Sequence, residues 1–305
     1  MSDKRERQIV DIHSHIFWYP DHLSLELVTE ALAAKKVKIE TSGGLAHADV
    51  LDLHSNDALP DEHFKMLNTA SKIIVFGIQA EQTGFNTPNE VIAEYVKRDP
   101  LRLEGWASIN PTREDALEKF QYAVDVLGLK GLKVGPTYQH FDPSDSKYWT
   151  LFTECERRDL PVMIHMGTTY PSAAKIALSQ PLLLEPLIMA HPNLRMIIAH
   201  LGHPWESDTI ALIRKSPNIF SDISALHFRP WRFYQALITA VEYGVTHKLL
   251  LGSDFANSTI DDAIKGLRNV NSILEGTKLP QIPEYVIDNI IYENWKRFFK
   301  GNPID

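Results

Sequence analysis

Two histidines one residue apart, His13 and His15, close the otherwise apolar stretch QIVDIHSH at residues 8–15. Single histidines end two later hydrophobic runs, His165 in PVMIHMG and His200 in RMIIAHLG, and Asp254 ends KLLLGSD. Imidazole nitrogens with a carboxylate are the donors that suit Zn²⁺, and they also serve Mn²⁺, Fe²⁺ or Co²⁺. Side chains alternate along a strand, so Asp11, His13 and His15 are expected on one face and Ile12 on the other. Two imidazoles on one face can hold a single cation, and His165 and Asp254 can complete the set from other strands. One strand-end histidine is usually just a hydrogen-bonded side chain. A paired motif and further strand-end donors in one chain argue for a metal site.

Such donors need elements that bring them to one place. Eight short β-rich runs are legible, beginning at Gln8, Lys72, Leu103, Leu129, Pro161, Arg195, Ile219 and Lys248. Their continuous apolar character fits parallel strands covered on both faces. Helical patterns fall between them, over 87–99, 112–128, 146–159, 204–216, 230–244 and 283–299. Thr87 and Thr112 stand where helices begin, Gly128 where one stops, and Pro283 near a first turn. Eight strand–helix units in 305 residues predict an α/β fold, a (β/α)8 TIM barrel forming one domain over 1–305. A doubly wound open sheet is the rival, and no GxGxxG follows the first strand to support its nucleotide-binding form. Residues 17–61 break the rhythm and are expected to form an active-site insertion over the barrel mouth. They carry TSGG, His22, His47 and His54, and His63 lies just beyond.

Bulk properties narrow the classes. A formal charge of −8 and a pI near 5.9 argue against nucleic-acid binding. No apolar run is long enough for a membrane span, and MSDKRERQIV has no apolar stretch of the kind a signal peptide needs. A cytoplasmic protein is therefore expected. Cys155 is the only cysteine, so no intrachain disulfide forms; its helical context reads as core packing.

Together DIHSH, VMIHMG, IIAHLGHPW and LLLGSDFAN resemble the signatures of the amidohydrolase superfamily. More narrowly they resemble its amidohydrolase-related branch, which includes aminocarboxymuconate-semialdehyde decarboxylase. The likeness spans almost the whole chain, including GLKGLKVGP. It implies one divalent metal, usually zinc, held by His13, His15, His165 and Asp254, with His200 a catalytic histidine beside it. The cation would make hydroxide available at neutral pH, and Asp254 could take a proton from the water. The implied reaction is hydrolysis of an amide, ester or lactone in a small molecule. Non-oxidative decarboxylation of an aromatic or muconate-like acid uses the same ligands and is the alternative; a non-catalytic binding barrel is the second. Lys133 ends the fourth strand, where binuclear members carry a carbamylated lysine between two metals; pairing with a substrate carboxylate is the other reading. Asp11 could support a ligand histidine or bind backbone amides, Asp222 could turn inward, and Arg229 could meet an anionic substrate. The branch also suggests a homodimer.

Overall fold

The computed structural model describes residues 7–41 and 51–299. The hydrophobic runs become eight parallel strands: β1 Val10–His15, β2 Lys72–Phe76, β3 Leu103–Ser108, β4 Leu132–Val134, β5 Val162–Ile164, β6 Met196–Ile198, β7 Ile219–Asp222 and β8 Leu249–Leu250. Each lies beside the next in chain order. The ring closes where Ile12 N–H donates to Leu251 O at 3.1 Å and Asp254 N–H to His13 O at 2.8 Å. The expected TIM barrel is what forms. A short antiparallel pair, Gln79–Ala80 with Phe85–Asn86, stands apart from it.

Two apolar layers hold the barrel. Ile73, Val75, Leu132, Val134 and Ile164 belong to the outer layer, shared with the helices. Val10, Ile12, Ile74, Phe76, Trp106, Met163 and Phe220 fill the interior. Trp106 fits because Gly131 faces it: a β-carbon there would lie 2.4 Å from the indole. Trp295 and Phe298, from the helix Asn294–Phe298, join the inner cluster and close the end opposite the strand C-termini. The Trp295 indole N–H reaches Gln8 O at 3.3 Å.

One strand departs from the alternation expected of it. Asp11 pairs with Ile73, but Ser14 pairs with Val75, so β1 spends one extra residue against β2. This bulge reverses the facing of everything after it. Ile12 therefore packs inward in the inner cluster, and His13 and His15 still meet at the barrel axis. Asp11, in register with outer-layer Ile73, does not share their face. The expectation that Asp11, His13 and His15 line one face with Ile12 opposite is corrected accordingly.

Most expected helices form, shorter than their patterns, as at Asn89–Val96, Ala116–Asp125 and Pro230–Glu242. Helices not evident from the pattern include Glu185–Ala190, and Ile260–Arg268 with its Thr259–Asp262 capping box. In the insertion, α1 spans Leu25–Thr41 and buries Leu27, Val28 and Ala31. His47 and nearly all of TSGG lie outside the described residues. No helix among the described residues is long and apolar enough to cross a membrane.

His63 pins the end of the insertion to β1. It is fully buried; Tyr95 O–H donates to its Nδ1 (2.6 Å), and its Nε2–H donates to Ser14 Oγ (2.8 Å). Burial, with His15 and Arg98 adding to it, holds its pKa down to about 3 from 6.5. The unfolded chain thus binds a proton that the folded chain refuses, so stability falls as pH drops from 6.5 toward 3. Thermal melts from pH 7 to 4 should show a steeper fall in Tm for the native chain than for His63→Gln. Equal slopes would remove His63 as a source of acid lability.

Candidate metal centre and cavity

The strand C-terminal ends carry the polar residues, as barrel chemistry requires. His13 Nε2 and His15 Nε2 lie 3.2 Å apart, and each lies 3.4 Å from Asp254 Oδ1. All three residues are buried. Gly252 leaves room for this approach, since a β-carbon there would meet His13 Cβ at 2.9 Å. Asp254 adopts φ +57°, a left-handed conformation uncommon for a residue with a side chain. Its Oδ2 accepts a hydrogen bond from Asn257 Nδ2 at 2.9 Å, which leaves Oδ1 for the histidines.

His165 follows β5, and its ring lies 5.1 Å from that of His200. His165 Nε2 is buried with no hydrogen-bond partner, an orphan that a cation would satisfy. His13 is oriented from behind: its Nδ1–H donates to Asp222 Oδ2 at 3.0 Å, turning the Nε2 lone pair toward Asp254. Donor type, burial and orientation all fit a divalent cation.

The electrostatics agree. Burial, then Lys133, depresses His13 to about 3, and burial likewise lowers His15 and His165. These rings are neutral at pH 7, the form that ligates metals. Burial works to raise Asp222 and Asp254, but His13 at the first and His200 at the second reverse it, so both carboxylates fall below their usual range. Lys133 Nζ lies 3.1 Å from His13 Nε2, and burial lowers its ammonium to about 8 against the pull of Asp222 and Asp254.

The remaining candidates divide clearly. Asp222 does turn inward; it also accepts from His200 N–H (3.2 Å) and Ser224 N–H (3.0 Å). Asp11 accepts from the backbone N–H of His13 and of Ser253, and burial raises it to about 7. His200, at φ +57°, is fixed through Nδ1 to Ser224 Oγ at 2.8 Å. Arg229 lines the cavity. His203 pairs with Glu206 at 2.6 Å, and His191 is held by Thr153 and Leu187. Cys155 is buried and its thiol is raised well above its ordinary pKa by burial, as core packing implies.

Sequence reasoning passed over Ser224, Asn257 and Tyr138. Tyr138 packs its ring 4.7 Å from His165. Above these groups opens a cavity of about 680 Å³, walled by Phe17, Phe85 and Tyr138 and by α1.

A family model described as amidohydrolase matches residues 10–300. No curated protein matches the chain. Among solved structures, the chain is similar to an uncharacterized TIM-barrel protein from Bordetella bronchiseptica at 16% identity and TM-score 0.70, covering 96% of this chain and 99% of that one. It is similar to a probable 2-pyrone-4,6-dicarboxylic acid hydrolase from Acinetobacter baumannii, with citric acid bound, at 17% identity and TM-score 0.65, again covering 96% and 99%. It is also similar to a dihydroxybenzoic acid decarboxylase from Polaromonas sp. JS666, with bound manganese and the inhibitor 2-nitroresorcinol, at 18% identity and TM-score 0.59, covering 96% and 97%. At these identities the likeness establishes the barrel fold.

Proposed function

The chain belongs to the amidohydrolase family and is a metal-dependent hydrolase or carboxy-lyase; within that range, we propose that it hydrolyses an amide, ester or lactone bond in a small molecule. The observation that carries metal-dependent chemistry, which hydrolysis and decarboxylation share, is the convergence of His13 Nε2, His15 Nε2 and Asp254 Oδ1 within 3.4 Å beneath an open cavity. We assign these three and His165 as ligands of one divalent cation, Zn²⁺ by donor type, with Mn²⁺, Fe²⁺ or Co²⁺ able to replace it. When bound, the cation supplies Lewis acidity and hydroxide at neutral pH.

The residues supply the rest. Asp254, with Asn257 holding one oxygen, uses the other to take a proton from the attacking water. His200, anchored through Nδ1, keeps Nε2 for the cavity, where it orients water or donates to charge developing on the attacked oxygen. Lys133 is placed to pair with a substrate carboxylate; metal analysis finding two equivalents, with a carbamate on Lys133 in the intact mass, would reverse this.

The aromatic wall of Phe17, Phe85 and Tyr138 supports a second reading, decarboxylation of a flat acid. There His200 would deliver the proton to carbon. A screen of zinc- and manganese-loaded protein against lactones, amides and aromatic acids, following acid and CO2 release together, separates the two. For either reaction His200→Ala should lower turnover by about 10²–10⁴-fold while metal content stays near that of the native chain. Turnover that survives this change would reject the role of His200.

A further inference from the structure

The cavity and the chain differ in charge. The chain carries a formal −8, yet among the described residues Asp254 is the only carboxylate lining the cavity, against Lys35, Lys38, Lys133 and Arg229. Among the described residues, two of these cations have evident partners. Lys133 lies against His13, and Lys35 donates to Ser55 O at 2.9 Å. The other two come from different elements. Arg229, in the loop after β7, is half-buried, and it donates to Ala225 O at 2.8 Å. Lys38, near the end of α1, sits 4.7 Å over the Phe228 ring. Burial lowers the Lys38 ammonium, and the charges acting on it, Arg229 and then Lys35, lower it further. Burial also lowers Arg229, and only Asp254 and Glu206 counter this from a distance.

Arg229 is half-buried and Lys38 exposed, and two like charges lining one cavity attract an anion between them. The same cavity is also lined by apolar Leu27, Val28 and Phe85. We propose that Arg229 and Lys38 clamp a substrate carboxylate remote from the reacting bond, so that the substrate is an acid with an apolar middle and α1 takes part in recognition. Which end reacts rests on the function proposed above; the clamp does not. A guanidinium can grip a carboxylate through two parallel N–H bonds, while the lysine adds a point charge from the opposite element.

Calorimetric titration of the metal-loaded full chain with isophthalate, and with its uncharged diamide isophthalamide, tests this. The diacid should bind more tightly than the diamide, and more weakly as salt is raised. Arg229→Gln and Lys38→Gln should each weaken isophthalate by about tenfold, leave isophthalamide unchanged and retain native metal content. Arg229→Lys should recover part of the loss. Variants that bind isophthalate as the native chain does, or a diamide as tight as the diacid, would overturn the clamp. Repeating the titration after chelation separates the two readings: binding that still depends on Lys38 and Arg229 supports the clamp whatever becomes of the metal-centred function.

Discussion

Asp254→Ala protein, purified with excess zinc, should hold little metal and turn over about 10³-fold more slowly than the native chain, or less. Among the described residues, Asp254 is the one carboxylate in contact with both His13 and His15, and in the proposed reaction it also accepts the proton from water. One substitution therefore removes a ligand and a base together. It also removes the carboxylate that stands beside both imidazole nitrogens, themselves 3.2 Å apart. Elemental analysis and turnover should fall together, whereas His200→Ala should lower turnover alone. Native metal content in Asp254→Ala would mean that the ligand set has been misassigned.

Asp222→Ala should cost both stability and metal affinity. Its carboxylate is fully buried and accepts from His13 Nδ1–H, His200 N–H and Ser224 N–H. Those donors would be stranded, and breaking a buried charged network of this kind costs about 3–5 kcal/mol. His13 would also lose the bond that fixes its tautomer, so metal affinity should fall by about 10–100-fold. Denaturant melts and a competitive chelator titration measure the two effects. Asp222→Asn, which keeps the shape but not the charge, should lie between native and alanine in both. An alanine variant as stable as the native chain would show that Asp222 is a bystander.

Much of this site was legible beforehand, and the reason is physical. A histidine or aspartate at the end of an apolar parallel strand has few places to go except the barrel mouth, so the position of His13, His15, His165, His200 and Asp254, though not their roles, could be read from the sequence. Inward-facing Asp222 could be read as a possibility, because strand ends offer two faces. The bulge in β1 could not be read: periodicity assumes one residue against one, and the pairing of Ser14 with Val75 breaks that count. Ser224, Asn257 and Tyr138 are ordinary residues whose roles arise only when separate loops close on one another. Helix α1 escaped notice because it buries only Leu27, Val28 and Ala31, too narrow a stripe to mark a helix by pattern. Lys38 was invisible for the same reason, since its significance depends on Arg229 from nearly two hundred residues later.

Trp295 and Phe298 fill the far end of the barrel, and among the described residues the cavity opens on the loop side. Reactant and product must share that opening. Under the proposed clamp, an acidic product held against the cationic wall would keep the next molecule outside, so departure as well as bond breaking would set how often the enzyme fires.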